Sequence, residues 1–522
     1  MNNSADDDVR VLHSMGYAQE LSRRLSRFSN FAISFSIICV QSGGVNSLAQ
    51  ATSGAGGAAI GLGWPLGVLI SAVFGLTMAQ IASAFPTAGG LYHWGSILGN
   101  RFTGWLAAWF NLLGLITVLG SINVGAYGFF MGAFGPALQL RDSMATLVGF
   151  VAVLTLLQAL INAYGISATA RLTDFSGYLI FGTALLITIV CITHTRHFDL
   201  TRLWRFANYS GKAGGDVWPS ASAGWIFMLG LLLPIYTITG YDASVHTAEE
   251  TRNATLAVPR AIVSSIFWAG AAGYLMLVAF LLMLPDMDQA ALQGWNVFFW
   301  GMEQRVPQAI REVLYALVFV AQLLCGLATV TSASRMIYAF ARDGGLPASA
   351  PLAKVSSRHR TPAAAIWTAA LLSLLFVWGA KWLENSGTPV YTVVVSCTVI
   401  FLYFSCVVPI ALGLIAYGGP KWRRMGPWSM GRAGFSLFAA LSIVAMIVIF
   451  VLGVQPPNQL ALNVSIGFLL LSALIWFGFE RRRFRGPPVG AMIVQRQAQI
   501  AAAEASLGQA SPELSPPASG HP

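Results

Sequence analysis

Residues 28–50, FSNFAISFSIICVQSGGVNSLAQ, decide the fold. They lie in an apolar run bounded by Arg27 and Arg101 with no Asp, Glu, Lys or Arg between, and Ser42-Gly43-Gly44 interrupts it. A bilayer core offers no water to unpaired peptide groups, so helix-breaking sequence at mid-depth is tolerated only where it lines a cavity. A second run, WIFMLGLLLPIYTITGYDASVH over 225–246, is interrupted by Thr239-Gly240-Tyr241-Asp242. Two interruptions at corresponding places in two halves of a chain are the sequence pointer to a secondary transporter's binding site.

Working outward, the 522 residues are 56% hydrophobic and 10% charged, with a mean hydropathy of +0.66. Soluble domains carry about 25% charged residues. Runs of about 20 apolar residues span a bilayer as helices. Twelve occur, over 31–53, 64–85, 105–131, 143–164, 175–194, 224–247, 261–284, 312–340, 362–380, 391–416, 434–454 and 461–479. The fold class expected is therefore all-α, a polytopic membrane protein with 12 transmembrane helices. Its interrupted helices are 1 and 6. With five helices per repeat the second copy must be inverted, which places repeat one at about 30–194, repeat two at about 224–416 and two extra helices at 434–479. No polar stretch is long enough for a soluble domain. Residues 1–29 read as a cytoplasmic N-terminal segment with a basic surface helix over 16–29, and 481–522 as a disordered cytoplasmic tail.

The net charge of +10 follows topology rather than nucleic-acid binding. With the N-terminus inside, 22 of the Lys and Arg residues fall on cytoplasmic segments and 8 on outer loops, as the positive-inside rule requires. Asp6-Asp7-Asp8 stands where a secretory signal would be basic. All five cysteines lie inside expected spans without CxxC spacing, so neither a disulfide frame nor a metal site is indicated. No cofactor is implied. The outer loop 195–223, with Trp204, Phe206, Tyr209 and Trp218, is expected along the outer membrane face. Gly54-Ala55-Gly56-Gly57-Ala58-Ala59 has dinucleotide-like spacing but no preceding strand, and reads as a flexible connection.

At the first interruption, Gly43 and Gly44 let the backbone leave helical geometry cheaply. An outer half-helix starting near Asn46 would aim free N–H groups and a partial positive charge at a carboxylate. A small-residue packing groove is the alternative. At the second, Thr239-Gly240 frees carbonyl oxygens that accept from an ammonium group. Together these ends suit a zwitterion. Tyr236 is either an aromatic lid or a packing residue. Asp242 is the carboxylate expected near mid-span, where ionisable groups are functional candidates by default. It pairs with a substrate amine, takes a coupling proton, or caps the inner half-helix. His246 relays protons, since imidazoles titrate near neutrality, or marks the inner water boundary. Glu249-Glu250 and Arg252, with Arg335 and Arg342, either close an inner gate by salt bridges or are solvated interface charges. Thr329, Thr331, Ser332 and Ser334 lack the carboxylate a sodium site would want.

Ala82-Ser83-Ala84-Phe85-Pro86-Thr87-Ala88-Gly89-Gly90-Leu91-Tyr92-His93-Trp94 resembles the inner-loop signature of the amino acid–polyamine–organocation superfamily. Gly240-Tyr241-Asp242-Ala243, Glu249-Glu250 and Val258-Pro259-Arg260 are similar to the sixth-span motif of its amino acid/choline branch, which includes GABA and choline permeases. Ser334-Arg335-Met336 and Ala341-Arg342-Asp343-Gly344-Gly345-Leu346-Pro347 match that branch's eighth-span ending. The resemblance covers about 15–480. It implies the five-plus-five inverted-repeat fold and uptake or exchange of an amino acid or related amine. By position, it implies substrate contacts at Ser42, Gly43, Gly44 and Val45 and at Tyr236, Thr239 and Gly240; the residue reading adds Asn46, Tyr241 and Asp242. Relatives often carry Gly-Ser-Gly in the first break and a lysine in the fifth span. Here there is Ser42-Gly43-Gly44 and no lysine over 171–194, so Asp242 stands as the coupling candidate, with His246, Glu249 and Arg335 in coupling and gating.

The leading expectation is a secondary transporter in the cell membrane for a small zwitterionic or cationic amine, proton-coupled or exchanging. A membrane enzyme would need clustered intramembrane His, Asp or Glu, a channel a continuous polar path, and a sensor a long signalling extension. An amino acid is favoured over GABA, polyamines or choline, and the sequence does not set an oligomeric state.

Overall fold

The computed structural model describes residues 3–382, 390–488 and 491–506. Among them, eleven helices are long and apolar enough to cross a membrane. The long apolar runs explain this directly, because a continuous helix satisfies its own peptide groups in lipid. A further apolar segment, sixth in chain order, is assembled from shorter pieces, Ala223–Gly230, Leu232–Thr237 and Ala243–His246. No strand occurs among the described residues, only two isolated bridges.

Burial separates an inner set of spans from a peripheral one. The first span, Arg27–Asn46, has 89% of its most apolar window buried, and the third, Arg101–Leu138, 83%. The fourth (Met144–Ala163), ninth (Ala363–Trp382) and eleventh (Gly431–Gly453) have 33% and the twelfth (Gln459–Arg483) 22%. Leu, Ile, Val and Phe cover the outward faces of these four, as lipid contact demands. The two interrupted spans are the first and sixth, and run in opposite senses through the centre.

We call the face carrying the N-terminal segment the inner face. Four expectations for the ends and connections change. The helix at the N-terminus is Asn3–Ser14, and residues 15–26 form a strap instead of a basic surface helix. The strap is held by backbone pairing, Leu25 N–H to Glu250 O (2.8 Å) and Arg252 N–H to Leu25 O (3.1 Å). The tail expected to be disordered contains a helix, Ala491–Ser506, because Ala, Gln, Met and Glu are strong helix formers; 507–522 lie outside the described residues. The helix docks on the strap, with Glu504 accepting from the Gln19 amide (2.8 Å) and 2.7 Å from His13 Nε2.

Residues 54–61, expected to be a flexible connection, are packed and partly helical (Gly57–Gly61). A Cβ at Gly57 would sit 2.1 Å from the Arg202 carbonyl oxygen. That carbonyl belongs to the outer segment 195–222, which folds over the first span instead of lying wholly on the surface. Trp218 is buried and donates to Gln50 O (3.0 Å), while Trp204 and Phe206 remain exposed.

Candidate functional site

The first span breaks at Cys39, not at the glycines. Arg27–Ile38 ends there, Cys39 takes φ 3° and ψ 91°, and Val40–Asn46 resumes as helix. Asn46 therefore ends the outer half-helix instead of starting it. Gly43 serves close approach: a Cβ there would lie 2.6 Å from Thr237 Oγ1 and 2.8 Å from Thr237 Cα. Gly44 faces Met276 and Leu277 of the seventh span (Ala254–Met283), away from the sixth. The sixth span opens where its sequence indicates. Its outer helix ends at Thr237, Gly240 adopts φ +86°, and helix resumes at Ala243. The positive φ favours glycine, and a Cβ at Gly240 would be 2.2 Å from Ile37 Cγ2.

The two breaks thus meet. Gly240 rests on Ile37, two residues before Cys39, and Gly43 rests on Thr237, just before the second break. Ser34 Oγ donates to Tyr241 O and accepts from Ser244 N–H, each 2.9 Å. Asn30 Nδ2 reaches Ser244 O at 2.9 Å, binding the inner halves of spans one and six. Ser42 and Gly43 N–H both point to Cys39 O (2.9 and 3.1 Å). Among the described residues, the Ile238 and Thr239 carbonyls receive no backbone donor. The start of one half-helix and the unsatisfied end of another face one region.

Above it, Tyr236 Oη donates to Ser121 Oγ (2.8 Å), and its ring stands edge-on to Tyr391 at 6.3 Å. Tyr391 is 3.0 Å from Ser47 Oγ and 6.0 Å from the Trp295 ring. Beyond lies a cavity of about 330 Å³ lined by Val45, Asn46, Phe129, Trp295, Phe299 and Tyr391, among others. Val45 and Asn46 therefore belong to this outer cavity. On the other side, Tyr241 stacks edge-on at 6.5 Å to Tyr403, which donates to Ile235 O (3.2 Å).

Asp242 is buried, and its carboxylate makes no capping bond to the inner half-helix. Its Oδ2 lies 3.3 Å from Asn111 Nδ2 and 3.6 Å from His246 Nε2. His246 is fully buried, which removes the water-boundary reading; its Nδ1 lies 3.2 Å from Ala88 O. Asn111, Ser405 and Tyr403 escaped sequence reasoning, although an Asn in the apolar third span was a usable signal.

Of the inner-side charges, Glu249, Glu250, Arg335 and Arg342 are paired and largely buried, whereas Arg252 is exposed. Arg335 grips Glu250 through Nε and Nη2, both 3.1 Å, with neither side chain exposed. Arg342 grips Glu249 at 2.9 and 3.0 Å. Ala88 N–H also donates to Glu249 Oε1 (3.1 Å), so the backbone of one residue touches both His246 and Glu249. Burial alone would raise the Glu249 carboxyl, but Arg342 and that amide hold it below the ordinary carboxylate value. The strap covers this layer: Gln19 Nε2 donates to Glu249 O (2.9 Å), Arg342 lies 4.0 Å over the Tyr17 ring, and Tyr17 Oη donates to Asp343 (2.6 Å).

The profile of the family described as Amino acid permease matches residues 25–479. The amino-acid permease BAT1 homolog of Oryza sativa subsp. japonica is 33% identical over 508 residues, covering 91% of this chain and 94% of that one. Amino-acid permease BAT1 of Arabidopsis thaliana is 31% identical over 507 residues, covering 91% and 95%. The GABA-specific permease of Saccharomyces cerevisiae is 25% identical over 514 residues, covering 92% and 86%. The broken first and sixth spans and these matches have one common reading: the chain belongs to the amino acid permease family, and is a multi-pass membrane transporter and not an enzyme.

Proposed function

We propose that this permease carries a small neutral zwitterion, an amino acid, across the cytoplasmic membrane by alternating access, coupled to protons or in exchange. Both termini are cytoplasmic in this reading, in keeping with the basic inner loops. The observation that carries it is the meeting of the two breaks, Gly43 on Thr237 and Gly240 on Ile37. Val40 and Gln41 N–H hold the substrate carboxylate beside Ser42 and Gly43, the Ile238 and Thr239 carbonyls hold its amine beside Gly240, and Tyr236 closes over it. Aligned peptide dipoles favour this charge arrangement. Asp242, against His246 and Asn111, is the site that takes up the coupling proton. Glu249 and Glu250 with Arg342 and Arg335 form the inner gate, shut in this conformation.

A second reading, GABA as substrate, draws on the printed specificity of the yeast relative. The same two breaks would hold its carboxylate and amine further apart. Purified protein in proteoliposomes, given labelled amino acids, GABA or choline with and without an inward proton gradient, separates these readings. Saturable amino acid uptake with counterflow is expected. Asp242→Asn is expected to retain counterflow and to lose gradient-driven accumulation and its pH dependence. Full accumulation with an unchanged pH profile in that variant would remove Asp242 from coupling.

A further inference from the structure

Gln322 of the eighth span (Gln308–Arg342) is fully buried, yet neither its Oε1 nor its Nε2 has a hydrogen-bond partner. Buried amides are nearly always paired, because desolvating them unpaired is costly. The neighbouring interface obeys that rule: Asn123 and Gln158 exchange two bonds of 3.0 Å, and Asn162 donates to Leu327 O at 3.0 Å. Gln322 breaks it.

Helix geometry says where the amide stands. Leu323 O and Leu327 O receive Gln158 and Asn162, and Gly326 abuts Gln158, so these positions face the fourth span. Residues three or four apart share a face. Cys325, one turn inward of Gln322, donates from Sγ to Ile37 O (3.3 Å), at the first break. Tyr315, two turns outward, stacks edge-on with Phe129 and Phe299 of the outer cavity wall at 5.9 and 5.4 Å. Gln322 stands three residues from Cys325 and seven from Tyr315, and so lies between that cavity and the meeting point of the two breaks, beside the Gly326 contact with the fourth span.

We propose that the Gln322 carboxamide is a specificity-determining contact for the side chain of the bound amino acid, and that it selects neutral polar side chains, amides and hydroxyls, over aliphatic ones. This deepens the carrier reading above and rests on it. The amide offers two donors and one acceptor and no charge, which another amide or a hydroxyl complements. An aliphatic side chain would leave the carboxamide unpaired. Sites built around a buried hydrogen-bonding group reject analogues lacking the partner far more strongly than apolar pockets discriminate by size.

Proteoliposomes of the full chain test this with labelled glutamine, asparagine, serine and threonine against leucine and valine. The wild type is expected to favour the polar set at least tenfold in kcat/KM. Gln322→Leu and the more nearly isosteric Gln322→Met are expected to lower the glutamine-to-leucine ratio at least tenfold, and Gln322→Asn to lower it less. A ratio within twofold of wild type in either apolar variant overturns the role, as does a wild type without polar preference. A Gly43→Val arm reads the site itself, since its side chain would collide with Thr237. Uptake surviving there sinks the two-break site, whereas uptake lost there with an unchanged ratio in Gln322→Met sinks only Gln322.

Discussion

Glu250→Gln tests the proposed inner gate, because it keeps the side chain's shape and removes one charge of a fully buried pair. In the closed conformation the Arg335 guanidinium would retain the Ser334 hydroxyl at 3.0 Å and a neutral amide in place of a carboxylate. Removing one partner of a buried ion pair costs about 3–5 kcal/mol, largely by leaving the other charge uncompensated. When the gate opens, water solvates Arg335, so the loss falls on the closed state alone. At about 1.4 kcal/mol per factor of ten, closure is disfavoured roughly 150- to 4,500-fold.

A cysteine at Val245, buried just beyond the gate, reports this in a background with the five native cysteines (Cys39, Cys191, Cys325, Cys397 and Cys406) replaced. Labelling by an impermeant maleimide from the inner side is expected to accelerate by at least two orders of magnitude with Glu250→Gln. Gating coupled to transport also requires excess amino acid on the opposite side to slow labelling in the parent. A labelling rate within twofold of the parent would refute the gate assignment and leave the pair as packing.

Three further outcomes follow from the same geometry. Gly240→Ala combines a positive φ with a Cβ 2.2 Å from Ile37 Cγ2; a double-mutant cycle with Ile37→Ala, read by thermal unfolding in detergent, is expected to show favourable coupling of about 1–3 kcal/mol, the overpacking part, while the backbone part persists. Glu249's carboxyl is depressed in the closed state, so its contribution is complete above about pH 4.3 and is lost as pH falls through the lower closed-state value. Inner-side labelling is therefore expected to rise as the pH falls below about 4.3, and to lose that rise in Glu249→Gln. Truncation after Pro488 removes Glu504 and Arg496 from the strap and Asp343, and is expected to raise amide hydrogen exchange over residues 15–25 at least tenfold; unchanged exchange would show that the strap holds without the C-terminal helix.

The spans and the second break were legible because each is a property of the local chain: apolar length, and a glycine where φ must be positive. The paired carboxylates and arginines were legible as a choice, and burial decided it, since no sequence pattern separates a sealed ion pair from a solvated one. The first break was misplaced by one turn for an instructive reason. Gly43 looks like a helix breaker, yet it remains helical and is small because Thr237 needs the room. The unwinding falls on Cys39, whose backbone angles are set by what surrounds it and not by its own side chain.

Beyond the side chains of Asn111, Ser405 and Tyr403, what stayed invisible has one cause: the connecting groups belong to the backbone. Ser34 meets the Tyr241 carbonyl and the Ser244 amide, Cys325 meets the Ile37 carbonyl, and the Ala88 peptide stands between His246 and Glu249. Sequence names the side chains at either end of such a relay and says nothing of the peptide in the middle. The contacts Asp242–His246–Ala88–Glu249–Arg342 are continuous from mid-membrane to the inner face. Imidazole Nδ1 bonds the Ala88 carbonyl only when it carries a proton. The orientation of the His246 ring and the seating of Glu249 are therefore tied to one residue's backbone, through the Ala88 carbonyl and the Ala88 amide.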